Sequence, residues 1–232
     1  MEKSQICENI RKVKSKIEET CREIGRESSE VTLVAVSKTK PVSYIREALE
    51  CGQIEFGENR MQELEEKIPQ FESAQVSWHM IGNLQTNKIK LVADKISWVH
   101  SIEKLKYLKE FEKRANGNKI KALIQVNISG EKQKGGVEPE NLADILKSST
   151  DFEHVKVCGL MGMATFADNP EDVRHEFKLL KNLFDEHQKY NIGSVDLQEL
   201  SMGMSNDMEV AIQEGATMVR VGSEIFGARN YD

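Results

Sequence analysis

Lys38 stands where an apolar run, Ala35-Val36-Ser37, gives way to Thr39-Lys40-Pro41. An amine held at such a boundary gives up its proton more readily, because burial disfavours the charged form. The neutral amine then attacks aldehydes and forms Schiff bases. A lysine whose stem lies along apolar surface while its head stays in water occupies the same kind of position, and both readings stand on the residue alone. Pro41 directs the chain outward, which turns Lys40 toward solvent.

A second group lies near the C-terminus. Leu200-Ser201-Met202-Gly203-Met204-Ser205-Asn206-Asp207 runs into a helical pattern, and Met218-Val219-Arg220-Val221-Gly222-Ser223 follows. Small residues leading into a helix leave backbone N–H groups and the positive end of the helix dipole for an anion such as phosphate. Ser205 adds a hydroxyl, and Gly222 allows a ligand to come close. Capping of the helix by Ser205-Asn206-Asp207 is the competing account. Arg220, set in an apolar strand, requires a partner.

Asn59 in Phe56-Gly57-Glu58-Asn59 and Asn83 after Trp78-His79-Met80-Ile81-Gly82 fit site hydrogen-bonders and helix caps equally. His79 reads as a core histidine with satisfied hydrogen bonds or as a ligand or base. The five histidines lack zinc-helix spacing, since Leu179 stands where a second histidine would follow His175-Glu176. Neither a Walker loop nor GxGxxG occurs, which counts against a P-loop NTPase and a dinucleotide fold.

These residues act together only if the fold brings them together. Ile6, Ile10, Val13, Ile17 and Ile24 predict one amphipathic helix, stopped by Gly25. Eight short apolar runs follow: Val31–Ser37, Ile54–Gly57, Ser77–Gly82, Trp98–Ile102, Lys121–Ile128, Val155–Met163, Leu197–Met202 and Met218–Gly222. Helical patterns follow them at 43–51, 59–68, 85–95, 103–115, 139–149, 171–189, 206–214 and 223–228. Eight βα units predict an α/β fold, a (β/α)8 TIM barrel with an extra N-terminal helix, with a doubly wound open sheet as the rival. In the barrel, the polar residues after each strand gather at one mouth, and the loops after strands seven and eight supply its usual phosphate site. No linker or composition shift divides the chain, so residues 1–232 read as one domain. Ser129–Gly136, with Lys132 and Lys134, reads as a lid or as a solvated turn.

Composition narrows the class. The chain has 232 residues, 32 basic and 38 acidic, so its net charge of −6 gives no electrostatic reason to expect nucleic acid or anionic membrane. Nothing approaches the roughly 18 consecutive apolar residues of a membrane span, and Met1 to Glu8 lacks the apolar core of a secretory signal. Cys7, Cys21, Cys51 and Cys158 form no CxxC pair and read as scattered small hydrophobes of a reducing compartment. Asn127-Ile128-Ser129 is accordingly discounted as a glycosylation site. A cytoplasmic protein is expected.

Taken together, Ala35–Pro41, Phe56–Asn59, Trp78–Gly82, Leu84-Gln85-Thr86-Asn87-Lys88, Gly159-Leu160-Met161, Ser201–Met208 and Val219–Gly227 resemble the pyridoxal phosphate homeostasis protein family. The resemblance runs from about residue 5 to the end, in family order. It implies a fold-type III barrel like the N-terminal domain of alanine racemase, with pyridoxal 5'-phosphate (PLP) carried on Lys38 as an internal aldimine. It further implies that Ser205, Gly222 and Ser223 bind the phosphate, that Arg220 faces the pyridine nitrogen, and that Asn59 and His79 lie in motifs lining the cofactor. A guanidinium beside that nitrogen disfavours its protonation and makes the ring a poorer electron sink. The chain ends at Asp232, which leaves no room for the β-domain that gives alanine racemase its tyrosine base, and none of Tyr44, Tyr107, Tyr190 and Tyr231 can be placed as that base.

The family implies a carrier or regulator of PLP without an established reaction, with apo forms of PLP-dependent enzymes as further partners. A complete barrel without an uncovered apolar stripe is expected to be a monomer. The alternatives are a PLP-dependent amino acid racemase or related enzyme, and a cofactor-free Schiff-base aldolase acting on a sugar phosphate.

Overall fold

The computed structural model of the chain describes residues 4–71, 74–131 and 135–227, so Lys132, Lys134 and Tyr231 lie outside the described residues. Ser4 opens the first helix, α1 (Gln5–Glu23), by accepting the Cys7 N–H. Ile6, Ile10, Val13, Ile17 and Cys21 are buried along one face. Ile24 falls at the C-cap and is exposed, because the helix gives way to Gly25 in the left-handed region at φ +68°.

Eight strands follow: β1 (Thr32–Val36), β2 (Glu55–Glu58), β3 (Ser77–Met80), β4 (Trp98–Ile102), β5 (Ile120–Gln125), β6 (Val155–Met161), β7 (Val195–Met204) and β8 (Met218–Val221). Each pairs in parallel with the next, and β8 returns to β1 from Thr32↔Met218 to Ala35↔Val221, closing the barrel. Parallel closure buries both faces of each strand, so the strands read as continuous apolar runs. Around it lie α2 (Val42–Glu50), α3 (Met61–Lys67), α4 (Leu105–Arg114), α5 (Leu142–Lys147), α6 (Arg174–Glu186), α7 (Met208–Gln213) and α8 (Ser223–Phe226). No helix among the described residues is long and apolar enough to cross a membrane.

Two local expectations are corrected. Between β3 and β4 the α-helix expected at 85–95 is a 3₁₀ segment, Thr86–Leu91, with Ile89 its one buried residue. Thr86 and Asn87 are weak helix formers, and one buried side chain is too little apolar face to hold an α-helix. The cysteines are not all solitary: Cys7 on α1 is disulfide-bonded to Cys51 just after α2, with Cα atoms 5.5 Å apart, while Cys21 and Cys158 stay free and buried. Packing of α1 against α2 brings together residues 44 apart in sequence.

Candidate functional site

At the C-terminal ends of the strands a cavity of ≈ 800 Å³ opens. Of the residues singled out from the sequence, Lys38, Asn59, Ser205, Arg220, Gly222 and Ser223 line it, and so does Asn83. His79 is not among the lining residues; it is fully buried one layer deeper, on β3. Lys40, expected in solvent, also lines the cavity, and its Nζ donates to the Gly227 carbonyl at 3.1 Å.

The turn after β1 is held from α3. The Lys40 N–H donates to the Ser37 carbonyl, which places Lys38 and Thr39 at the centre of a tight turn, with Thr39 in the left-handed region at φ +62°. A β-branched residue is strained there. The Glu63 carboxylate accepts the Thr39 N–H at 2.8 Å and secures the conformation. Beneath the turn, buried Lys67 donates to Glu58 Oε1 at 2.7 Å and to the Ser37 carbonyl at 3.0 Å, and the Ser37 hydroxyl donates to the same carboxylate oxygen at 2.7 Å. Burial lifts the Glu58 carboxyl to about 7 against the pull of Lys67. Its Oε2 has no hydrogen-bond partner among the described residues. Sequence reading missed this cluster; an acidic residue inside the apolar stretch ending β2 was its one signal.

On the opposite wall, Asp207 stands at the N-cap of α7, but its side chain makes no capping hydrogen bond to that helix. Asp207 turns inward and accepts the Met204 N–H at 2.6 Å, and Gly203 takes φ +88°. Ser205 is left facing the cavity, its Oγ 3.3 Å from that of Ser223. The missing side chain of Gly222 serves the barrel itself, since a Cβ there would stand 3.1 Å from the Val36 carbonyl oxygen on β1.

Arg220, on β8, is 5% exposed. Its partners are neutral: Nη1 donates to the Ser201 hydroxyl at 2.5 Å and Nη2 to the Gly162 carbonyl at 3.0 Å. Burial lowers its pKa to about 10, with Asp207 acting the other way. Behind Ser201 stand His100 and His79, and burial lowers both imidazoles, so they are neutral at pH 7. The rim carries two residues that no motif marked, Met163 and Phe166, the latter 83% exposed. A single aromatic in a polar loop carries no pattern by which to find it.

The arrangement offers an amine, a buried cation and two hydroxyls on one cavity. Such a set joins an amine, which can condense with an aldehyde, to groups that can hold an anion.

Over residues 8–230 the sequence matches the family described as alanine racemase, N-terminal domain. It is 44% identical over 228 residues to a pyridoxal phosphate homeostasis protein of Aquifex aeolicus, covering 97% of this chain and 99% of that one. A protein of the same name from Escherichia coli strain K12 is 38% identical over 233 residues, 98% of each chain. Among solved structures, PipY of Synechococcus elongatus with PLP bound superposes with a TM-score of 0.80 and 32% identity, over 91% of this chain and 100% of that one. Alanine racemase of Clostridium difficile superposes with a TM-score of 0.73 over 97% of this chain and 57% of that one, and at 14% identity that likeness speaks for the barrel alone.

Proposed function

This chain belongs to the pyridoxal phosphate homeostasis protein family, and on that premise we propose that it holds PLP reversibly in the cavity at the C-terminal strand ends. In this reading the whole chain, residues 1–232, is one PLP-binding domain. It acts in the cytoplasm as a monomer that buffers a reactive aldehyde and exchanges it with apo forms of PLP-dependent enzymes, without turnover of amino acids.

The observation that carries the reading is the convergence of Lys38, Arg220, Ser205 and Ser223 on one cavity. The donor set fits the group: an amine for the aldehyde, hydroxyls for the phosphate and a buried guanidinium for the ring. Bound PLP supplies an aldehyde that condenses with amines and a pyridine ring able to draw electrons. Lys38 would hold it through its amine, as a Schiff base. Ser205, Ser223 and the backbone of Gly222 would hold the phosphate, and Asn59 would contact the bound molecule from the loop after β2. Arg220 stays charged at neutral pH and keeps a proton off the ring nitrogen, which weakens carbanion chemistry. His79 acts through its neighbours.

Absorption spectra of wild type and Lys38→Ala with added PLP, before and after borohydride, test the binding. A visible band in wild type alone, bleached by borohydride, is expected; a wild type that stays colourless overturns the reading. Incubation of the loaded protein with L-alanine and L-serine, followed by chiral chromatography, tests the lack of turnover. Racemisation at ordinary enzyme rates would replace the carrier by a racemase.

A further inference from the structure

Five polar side chains run through the barrel in one line. Glu55 Oε2 lies 2.7 Å from His79 Nε2, His79 Nδ1 lies 2.8 Å from His100 Nε2, and His100 Nδ1 lies 2.9 Å from Ser201 Oγ. Arg220 Nη1 then donates to the same Ser201 oxygen at 2.5 Å. The line begins at the N-terminal face, where Glu55 lines a separate cavity of ≈ 320 Å³ with Lys14 and Gln53. It crosses β2, β3, β4, β7 and β8 and ends at the cavity on the other face. We propose that Glu55, His79 and His100 are positioning residues for Arg220, a hydrogen-bonded chain that aims its guanidinium into the cavity and ties its orientation to a carboxylate on the opposite face.

The donors all point the same way. An ionised carboxylate only accepts, so His79 donates to Glu55 from Nε2. A neutral imidazole then offers Nδ1 as acceptor, so His100 donates from its own Nε2 and accepts at Nδ1. Ser201 must supply that last proton, which leaves its oxygen lone pairs to Arg220. Aligned this way, every dipole turns its negative end toward the guanidinium. The chain supplies by relay the carboxylate that Arg220 does not touch, since its own hydrogen bonds go to neutral acceptors. Trp98 stacks on His79 with an interplanar angle of 10° and holds that ring's plane.

Other charges face the chain. Lys121 on β5 sits 4.8 Å above the Trp98 ring and acts on Glu55 and His79, and Asp207 acts on Arg220 from the loop after β7. Burial alone would raise the Glu55 carboxyl, but the hydrogen bonds from His79 and Ser77 and the nearby charges hold it below the usual carboxylate range. Glu55 is thus ionised at neutral pH and fixes the direction of the whole line.

The effect on PLP rests on the function proposed above; the chain itself does not, so the experiment has two arms. In the first, long-range ¹H–¹⁵N spectra of the PLP-free protein read the tautomers. His79 and His100 are expected as neutral Nε2–H forms at pH 7 in wild type and as mixed tautomers in Glu55→Gln, whose amide also donates. An Nδ1–H form of either ring in wild type overturns the proposal. In the second arm, PLP is titrated into wild type, Glu55→Gln, Ser201→Ala and the double variant, each first shown to be folded by its thermal transition. Glu55→Gln is expected to weaken binding roughly fivefold. Ser201→Ala, which cuts the chain beside Arg220, is expected to weaken it more, and adding Glu55→Gln to it should change nothing further. Equal binding by Glu55→Gln and wild type, or additive losses in the double variant, overturns the proposal. A wild type that takes up no PLP defeats the proposed function instead, and the first arm then decides the chain alone.

Discussion

Two buried polar clusters support the cavity from opposite sides, and they carry charge in different ways. Beneath Lys38, the Lys67 ammonium touches the Glu58 carboxylate directly at 2.7 Å and both also bind Ser37. Behind Arg220, the cation and the carboxylate of Glu55 are separated by Ser201, His100 and His79, all neutral. A compact pair in a low dielectric locks one local shape, here the turn that presents Lys38, and does little beyond it. An extended line gives up direct attraction and gains reach, coupling strands on opposite sides of the barrel. The difference teaches that one cluster fixes a backbone and the other aims a side chain.

Breaking the compact cluster has the largest expected effect on folding. Lys67→Met leaves Glu58 and the Ser37 carbonyl buried without their donor, at a cost of about 3 kcal/mol. Chemical denaturation of variant and wild type at pH 8, above the wild-type Glu58 pKa of about 7, measures it. Lys67→Met combined with Glu58→Gln should recover part of the loss, because no charge is then stranded. Cutting the extended line should instead leave folding closer to wild type and weaken PLP binding, as set out for Glu55→Gln.

The clusters also predict opposite responses to pH. The folded pKa of Glu58, about 7, lies above the ordinary carboxyl value, so the native state holds a proton that the unfolded chain has lost. Stability from this group is therefore present at pH 4.5 and falls as pH rises toward 7.5, by about 3 kcal/mol relative to Glu58→Gln over the same range. His79 and His100 are lowered by burial, so below their ordinary value of 6.5 the unfolded chain binds protons that the native state refuses. Their contribution is present above pH 6.5 and is lost as pH falls. Denaturation midpoints of wild type, Glu58→Gln and His100→Gln across this range separate the two slopes. Equal slopes in wild type and Glu58→Gln would contradict the assignment to Glu58.

The smallest effect belongs to the turn. Thr39→Gly removes the side chain that is strained at φ +62° and adds freedom to the unfolded chain. A net gain of about 0.5 kcal/mol is expected, read from a shift of the denaturation midpoint.

The barrel was largely legible in the sequence, for a physical reason. Buried parallel strands are continuous apolar runs, and Trp98–Ile102 is one whose limits coincide with the strand itself. The α1 stripe was legible as far as Ile17 and failed at Ile24, where the helix ends. Lys38, Ser205 and Arg220 could be placed at one mouth because each stands at or near a strand's C-terminal end. Contacts that only closure creates were not legible. The pairing of Cys7 with Cys51 depends on how α1 lies against α2. His79 reads alone as a core histidine, and its meaning comes from His100 on the next strand and Glu55 on the previous one. Lys67 looks like a surface lysine on α3 and is in fact buried under the turn.

Lys38 and Lys40 line the same cavity, so the most direct test of the central claim is where PLP attaches. Protein loaded with PLP, reduced with borohydride and digested should yield the pyridoxyl mark on Lys38 and leave Lys40 unmarked in fragment mass spectra. A mark on Lys40, or marks spread over surface lysines with none on Lys38, would contradict the account.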